Sequence, residues 1–323
     1  MPKAYVTFNG FNDEAKIILS SHGIELTINA SNDVPNGEKL ISIIENYDII
    51  IIGVFSKLTE DMIKYIKTPK IIATVSVGLD HIDKCFFESP LVTIVNNKTA
   101  NSISVAEHIF SLILNLNKRM SESNKLVIEG NGHRSNLHER PEDISGKTLG
   151  LIGCGNITAE VIKIARVFNM KLKCYTKNPQ KHVDMLEKGV KFVSLDEVLK
   201  TSDIINVSIP LTEETRNLIS YDKIQLMKPN ATFINTSRAE IVDMKALIQY
   251  ADLHDSFYAG LDIDLDSYKD LFYRFRNNVL VTPHTAGVTK QAIERMDVEI
   301  ANSISKVCPF WQFPVKNGRP YKG

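Results

Sequence analysis

The sequence has 323 residues, enough for two ordinary domains, and its 43% hydrophobic and 24% charged residues are the balance of a globular protein. Its 38 basic and 38 acidic residues give a formal net charge of zero, so composition favours neither a nucleic-acid partner nor an anionic membrane surface. The four cysteines and eight histidines lack the spacings of a disulfide framework or a metal site, so we expect no metal.

The beginning of the chain leads directly into a strand-like run at Tyr5–Phe8, without the long apolar region and cleavage site of a signal peptide. The longest apolar run, Ile49–Phe55, is too short to span a bilayer. Together with the scattered cysteines, these features predict a protein of the reducing cytoplasm.

Strand-like runs alternate with helical segments over residues 1–98, which predicts a parallel sheet wrapped by helices. Helical spacing and starting caps predict helices at Asp13–Ser20, Gly37–Glu45 and Thr59–Lys67. The predicted strands are Ala4–Phe8, Ile24–Ile28, Asp48–Val54, Lys70–Val75 and Val92–Asn96.

A longer amphipathic helix at Ser104–Met120 and a polar loop at Glu129–Asp143 lead to a second alternating series. Its strands are nearly continuous apolar runs, as a sheet buried on both faces requires. We therefore predict an α/β protein with two doubly wound parallel sheets. The strands of the second series are Thr148–Gly153, Leu172–Thr176, Lys191–Val193, Ile204–Ile209, Thr232–Thr236, Ala259–Ile263 and Val279–Thr282.

A strand, a glycine turn and a helix follow one another from Thr148, and this arrangement predicts a dinucleotide site. Gly153 permits the turn, and Gly155 lets the backbone approach a pyrophosphate. The helix that begins near Asn156 and Ile157 offers N–H groups and a positive dipole end to that anion. Thr158 replaces the third glycine of the fingerprint, which predicts a slightly wider fit between helix and strand.

The second strand of this series ends at Thr176 and Lys177, where an NAD enzyme usually has Asp or Glu for the ribose 2′-hydroxyl. A hydroxyl followed by a cation would accommodate a 2′-phosphate, which favours NADP over NAD. The other interpretation is that Lys177 is an ordinary solvated loop residue.

Several further segments occur in a fixed order along the chain. Together with the glycine turn they resemble the D-isomer-specific 2-hydroxyacid dehydrogenases, and the resemblance runs from about Lys70 to Thr289. It implies an NAD(P)-dependent oxidoreductase that transfers a hydride between the nicotinamide and C2 of a small D-2-hydroxy acid or 2-keto acid, such as glyoxylate, hydroxypyruvate or a glycerate-like acid. The segments are Ser76–Asp83, Val105–His108, Ile209–Thr215, Met227–Arg238, Ile241–Asp243, Ala259–Asp262 and Thr282–Gly287.

The resemblance also implies an architecture. A flavodoxin-like substrate domain comprises residues 1–98 and 286–323, and a Rossmann dinucleotide-binding domain comprises residues 99–285. The active site lies in the cleft, which Asn101, Ser104 and Thr215 are expected to line. The protein is expected to form a homodimer through the dinucleotide-binding domain.

Within the motifs, Arg238 and His284 each follow a predicted strand end, where ligand-facing residues of open α/β sheets lie. Arg238 is predicted to bind the substrate carboxylate through a two-point fork and to polarise the adjacent carbonyl. His284 is predicted to take the proton of the 2-hydroxyl during oxidation and to return it during reduction. Ser76 and the N–H groups of Val77 and Gly78 are predicted to hold the carboxylate opposite Arg238.

Asp262 resembles the family's carboxylate near the nicotinamide ribose or carboxamide. Other cofactor contacts are predicted from the same motifs. They are Pro210, Thr215, Thr236, Ser237 and Gly287.

The family pattern is broken five residues beyond Asp262, where Ser267 stands in place of the glutamate that usually pairs with the histidine. One hypothesis is that Asp266, or else Asp264, replaces the glutamate. The other is that His284 works without an acid. The missing glutamate at position 267 and the presence of Thr158 also leave open an alternative function, a dinucleotide-binding regulator with little turnover. The presence of both Arg238 and His284 disfavours this alternative.

Overall fold

The computed structural model describes residues 1–264 and 278–308. By contacts the chain divides into two compact units, of which the first joins Met1–Asn101 to the segment from Lys290 onward and the second is Ser102–Thr289. Each unit has one sheet, and every paired strand in the described ranges is parallel to its neighbours. The predicted α/β class is confirmed.

The first unit has a five-stranded sheet in the order β2-β1-β3-β4-β5, which is the flavodoxin-like order. Its third strand is four consecutive isoleucines, all fully buried, as a central strand covered on both faces requires. The strands are β1 Lys3–Val6, β2 Glu25–Ile28, β3 Ile49–Ile52, β4 Lys70–Thr74 and β5 Val92–Asn96, and the helices are α1 Asp13–Ser21, α2 Glu38–Asn46, α3 Lys84–Glu88 and a closing helix, Lys290–Val307.

The helix predicted at Thr59–Lys67 is instead a 3-10 helix at Glu60–Tyr65. Its turns close over three residues, as in the bond from the Met62 N–H to the Thr59 carbonyl at 3.0 Å. Pro69 follows soon after, and a proline disfavours helical backbone in the residue before it, so the segment is too short to develop α-helical bonding. The prediction of an α-helix here was wrong.

The closing helix packs on the sheet beside α1, where Ile300 and Ile304 join Leu19 in one buried cluster. Asp297 lies in this interface and is only 2% exposed. Its Oδ2 accepts the N–H of Asn12 at 2.9 Å, and the Asn12 side chain in turn caps α1. Burial raises the pKa of Asp297 to about 6, an effect that the Asn12 N–H partly offsets.

Replacing Asp297 with asparagine is expected to stabilise the protein about twice as much at pH 8 as at pH 5. Because the folded pKa of Asp297 is about 6, against an ordinary value of 3.8, the folded state binds the proton more tightly, and stability falls as pH rises through this window. The difference corresponds to on the order of 2–3 kcal/mol at pH 8, which the uncharged amide avoids. Thermal unfolding of both proteins at the two pH values measures it, with Glu294→Gln, an exposed acid of the same helix, as control. An equal effect of Asp297→Asn at both pH values would refute the assignment.

The second unit has a seven-stranded sheet in the order β12-β11-β10-β9-β6-β7-β8. The chain runs outward from β6 in one direction and resumes at β9 in the other, which is the Rossmann order with a topological switch between β6 and β9. The strands are β6 Thr148–Ile152, β7 Lys171–Tyr175, β8 Val190–Phe192, β9 Ile204–Val207, β10 Thr232–Asn235, β11 Tyr258–Asp262 and β12 Val279–Thr282. The helices are α4 Ser102–Lys118, α5 Met120–Ile128, α6 Asn156–Val167, α7 Asp184–Glu187, α8 Leu195–Thr201, α9 Tyr221–Ile224 and α10 Met244–Leu253.

Helices cover both faces of this second sheet. Residues of α4 and α6 form one buried cluster with the sheet, and residues of α8, α9 and α10 form another. At Gly260 of β11 an added Cβ would lie 3.1 Å from the Leu112 Cβ, so α4 lies close to the strand. This packing fixes the strands whose carboxyl ends carry the predicted site.

Candidate dinucleotide and catalytic site

The carboxyl ends of the parallel strands of the second unit lie along one edge of its sheet. In open α/β sheets ligands bind at this edge, beside the topological switch, which falls here between β6 and β9. Most of the predicted site residues lie on strand ends and loops of this edge. They are Gly153, Gly155, Asn156, Ile157, Thr176, Lys177, Pro210, Thr215, Thr236, Ser237, Arg238, Asp262, His284 and Gly287.

The turn after β6 requires a glycine at position 153. Gly153 has φ +109°, a conformation that L side chains rarely adopt, and an added Cβ would lie 2.3 Å from the Ser208 carbonyl oxygen. Its N–H donates to the Tyr175 carbonyl at 2.9 Å. The turn is therefore held between the ends of β7 and β9.

Gly155 is the N-cap residue of α6, and its surroundings differ from those of Gly153. An added Cβ there would meet no protein atom within 4 Å. The helix begins at Asn156, and the N–H groups of a helix's first turn point out of its N-terminal end, which here is the end beside Gly155. An open cradle beside a helix N-terminus fits a dinucleotide pyrophosphate.

Thr158, which replaces the third fingerprint glycine, is fully buried. Its hydroxyl donates to the Gly153 carbonyl at 3.0 Å. The side chain therefore ties the first turn of α6 back to the glycine turn, and the wider fit predicted from the sequence stays a prediction.

Substituting Gly155 with alanine is expected to weaken dinucleotide binding about tenfold or more while changing the free energy of unfolding by less than about 1 kcal/mol. Its φ of −101° suits alanine and the added methyl group meets no protein atom, so it would occupy only the space left for the pyrophosphate. Fluorescence titration with NADH and NADPH and thermal unfolding of the same samples measure the two effects. Unchanged affinity would show that the cradle does not hold the cofactor.

The loop after β7 begins with the half-buried Thr176 and the exposed Lys177. The Thr176 hydroxyl accepts the N–H of Asn178 at 3.5 Å. The ammonium group of Lys177 is paired with the carboxylate of Glu214, from the loop after β9. Lys177 is thus an exposed cation with a carboxylate partner, and its role toward a 2′-phosphate stays a prediction.

Thr215 organises the loop after β9. Its hydroxyl donates to the Pro210 carbonyl at 2.7 Å and accepts the N–H of Thr212 at 2.7 Å, while the side chain is 9% exposed. These bonds make the segment a compact, self-bonded turn. Pro210 and Thr215 therefore shape this part of the edge, whatever further contacts they make.

The loop after β10 holds Arg238 in extended backbone, with its side chain half-buried. The fully buried Asn235 clamps this loop, because its Oδ1 accepts the Ser237 N–H at 2.9 Å and its Nδ2 donates to the Arg238 carbonyl at 2.9 Å. One guanidinium nitrogen, Nη1, donates to the Ser237 carbonyl at 2.9 Å. Thr236 and Ser237 connect the strand to this arginine.

Asp262, the last residue of β11, is fully buried, and both of its carboxylate oxygens are engaged. Oδ1 accepts the Thr282 hydroxyl at 2.6 Å and the Thr285 N–H at 2.8 Å, and Oδ2 accepts the Ala286 N–H at 2.8 Å. The carboxylate thereby fastens the loop that carries His284, a function that the sequence did not suggest. Its predicted contact with the cofactor remains a prediction.

His108 of α4 completes this network. Its Nε2 lies 2.9 Å from the Thr282 hydroxyl and 3.8 Å from Oδ1 of Asp262. Since the hydroxyl gives its proton to Asp262, Nε2 is the donor to the hydroxyl oxygen. The sequence drew attention to Val105–His108 as a motif but gave His108 no role.

His284 is exposed and has a positive φ of 54°, which is uncommon for a residue other than glycine. Its N–H donates to the Thr282 carbonyl at 3.0 Å, so the backbone turns sharply directly after β12. Gly287 follows in the same loop. Strain of this kind is frequent where a side chain is held for function.

The acid predicted to pair with His284 cannot be placed, because Asp266 and position 267 lie outside the described residues. Asp264, the alternative, is exposed just beyond the end of β11. The assignment of Asp266 therefore stays a prediction.

In the first unit, Ser76, Val77 and Gly78 follow β4. The Ser76 hydroxyl donates to the Gly78 carbonyl at 2.6 Å, and Asn96 donates to the Val77 carbonyl at 3.1 Å. In the part of the chain that the structure describes, the N–H groups of Val77 and Gly78 donate to no protein atom. The loop therefore presents two N–H donors of the kind that bind a carboxylate.

Two residues expected to line the cleft belong to different units. Ser104 shares a hydrogen bond of 2.8 Å with the Thr289 hydroxyl in the second unit. Asn101 ends the contiguous part of the first unit.

In the described ranges, we find no cluster of His, Cys, Asp and Glu suited to a metal ion. No helix in those ranges combines the length and apolar character needed to cross a membrane.

Comparison with known proteins identifies the family. Residues 110–286 match the domain described as "D-isomer specific 2-hydroxyacid dehydrogenase, NAD binding domain". The chain belongs to this family. The matched segment covers β6–β12 and about half of α4, so it includes all the strand ends of the sheet edge described above.

Relatives of this dehydrogenase extend the match to both units. It is 34% identical to a hydroxypyruvate reductase of Thermotoga maritima over 83% of this chain and 87% of that protein. An acyclic imino acid reductase in complex with NADPH and D-Arg superposes with a TM-score of 0.85 at 29% identity, covering 97% of this chain and 98% of the other. A D-lactate dehydrogenase from Aquifex aeolicus, complexed with NAD and lactic acid, superposes with a TM-score of 0.81 at 29% identity over 96% of each chain.

The chain is therefore an NAD(P)-dependent oxidoreductase that acts on the CH–OH group of D-2-hydroxy acids. The function predicted from the sequence is confirmed at this level, and so is the enzyme class.

Proposed function

We propose that this dehydrogenase reduces a short 2-keto acid, glyoxylate or hydroxypyruvate, and oxidises a glycerate-like D-2-hydroxy acid in reverse. The observation that carries the proposal is that Arg238 and His284 follow β10 and β12 at the sheet edge where the glycine turn also opens. A guanidinium suits the carboxylate of such an acid, and an imidazole suits the proton on its 2-oxygen.

Arg238 would bind the substrate carboxylate through two parallel N–H donors and draw electron density from the neighbouring carbonyl. Its half-buried position and the Asn235 clamp support this role, since a pre-positioned guanidinium loses little freedom on binding. When bound, the nicotinamide would supply or accept the hydride at C2.

His284 would handle the proton. In reduction the imidazolium donates to the carbonyl oxygen of the keto acid, and in oxidation the neutral imidazole takes the hydroxyl proton. The Asp262 carboxylate supports this role because it holds the His284 loop through the N–H groups of Thr285 and Ala286. Asp266 is proposed to pair with His284.

We assign further binding of the carboxylate to the N–H groups of Val77 and Gly78, with Ser76 shaping their loop. Two N–H groups that donate to no protein atom in the described ranges, and a loop braced by Asn96, support this assignment.

For the cofactor we propose NADP in preference to NAD. The end of β7 carries Thr176 instead of a carboxylate, and Lys177 supplies a cation next to Thr176. The two solved relatives point in different directions, since one binds NADPH and the other NAD. Pro210, Thr215, Thr236, Ser237, Asp262 and Gly287 are proposed as the remaining contacts, and a homodimer through the dinucleotide-binding unit is proposed as the assembly.

The experiment is to follow consumption of NADPH and NADH with glyoxylate and with hydroxypyruvate, beside reactions that lack the keto acid. Turnover that depends on the keto acid, faster with NADPH, is the expected result. Tight dinucleotide binding without turnover of either acid would contradict the proposed substrates and favour other 2-keto acids.

A further inference from the structure

The ion pair between Lys177 and Glu214 crosses the glycine turn. In the sheet, β6 lies between β7 and β9, so the loops after β7 and β9 flank the loop after β6. Lys177 belongs to the first flanking loop and Glu214 to the second, 37 residues later in the chain. The pair therefore joins the two sides of the proposed dinucleotide site.

The backbone of the turn that carries Glu214 is held by hydrogen bonds on both sides of this residue. Thr215 bonds back to Pro210 and Thr212, and the Arg216 N–H donates to the Thr212 carbonyl at 2.9 Å. The hydrogen bond and charge of Lys177 lower the pKa of Glu214, so the carboxylate is ionised at neutral pH. A negative charge is therefore present beside Lys177 at neutral pH.

This charge has opposite consequences for the two cofactors. A 2′-phosphate that approaches Lys177 must compete with the Glu214 carboxylate for the ammonium group, and the two anions repel each other. The 2′-hydroxyl of NAD has no such conflict, since a hydroxyl donates to a carboxylate. An NAD enzyme usually has a carboxylate at the end of β7, where this chain has Thr176. Glu214 supplies a negative charge to this region instead.

We propose that Glu214 is a cofactor-specificity residue that limits the preference for NADPH by holding Lys177. The proposal rests on the proposed function, in which the dinucleotide binds at the glycine turn with its 2′-position near Lys177. Both side chains are partly exposed, with relative accessibilities of 50% for Lys177 and 76% for Glu214, so water and salt reduce the effect to a few-fold.

The test uses two fragments of the cofactor, 2′,5′-ADP and 5′-AMP, and measures their binding to the full-length protein by calorimetry. In Glu214→Gln, 2′,5′-ADP is expected to bind about three- to fivefold more tightly and 5′-AMP within about twofold of the parent. Glu213→Gln removes an equal charge from the neighbouring exposed residue and is expected to leave both affinities within about twofold. In the Lys177→Gln background, the gain from Glu214→Gln is expected to shrink to about twofold or less.

The outcomes separate this inference from the proposed function. Unchanged affinity for 2′,5′-ADP in Glu214→Gln, or an equal gain in Glu213→Gln, would overturn the specificity role while 5′-AMP binding still supports the site. If the parent protein binds neither fragment, the proposed cofactor site itself is wrong, and the inference fails with it. A gain for 2′,5′-ADP that disappears in 0.5 M salt would support it, because screening weakens a charge effect between exposed groups.

Discussion

Replacing His284 with asparagine is expected to lower kcat for keto-acid reduction about 100- to 10,000-fold, the usual contribution of a general acid. Asparagine cannot supply a proton at neutral pH, so the oxyanion that develops at C2 must take one from water. Dinucleotide affinity is expected to stay within about threefold, because the glycine turn lies at a different strand end.

Asparagine is chosen because it tolerates the left-handed backbone that His284 adopts at φ 54°. The folded structure should therefore survive, and thermal unfolding checks that it does. His138→Asn, which alters an exposed histidine of the same unit, provides the control and should retain full turnover. The pH dependence of kcat should also lose the ionisation assigned to the imidazole.

Turnover of His284→Asn within tenfold of the parent would show that another group donates the proton. The first residue to test would then be His108, whose Nε2 already donates to the Thr282 hydroxyl in the network below the loop.

Replacing Asp262 with alanine is expected to destabilise the second unit by about 3–5 kcal/mol. The carboxylate accepts three hydrogen bonds, from the Thr282 hydroxyl and the N–H groups of Thr285 and Ala286, and it is fully buried. Alanine leaves these donors without an acceptor and removes the anion that faces His108. The loop that holds His284 should loosen, so turnover per folded molecule should also fall.

Urea unfolding measures the loss of stability, with Glu240→Ala as a control at an exposed acid of the same unit. The control should cost less than about 1 kcal/mol. The same experiment distinguishes two roles of Asp262. If it chiefly contacts the cofactor, Asp262→Ala should retain stability and lose dinucleotide affinity instead.

The fold followed from the sequence because its signals are local. Val92–Asn96 and Val279–Thr282 were predicted to the residue, since each is an apolar β-rich run with clear boundaries. The 3-10 helix at Glu60–Tyr65 was missed because its periodicity over so few residues does not separate i+3 from i+4 bonding.

Residues of the candidate site can be predicted from the sequence where they lie in one motif. They are harder to predict where they depend on partners that are distant in the sequence. The spacing of Gly153 and Gly155 between a strand and a helix indicates a dinucleotide turn. The partner of Lys177 does not, because Glu214 is brought there by the strand order β7-β6-β9 and not by sequence proximity. For the same reason the bond from His108 to Thr282, 174 residues away, carries no sequence signal.

The left-handed backbone of His284 sets selection for thermostability against retention of the histidine. Glycine at 284 would relieve roughly 1–2 kcal/mol of strain, and asparagine part of it. A library screened for heat resistance alone would therefore enrich glycine and asparagine at position 284, and such clones would lack the proton donor proposed there. A thermostabilised form of this enzyme should be selected with turnover and melting temperature scored together.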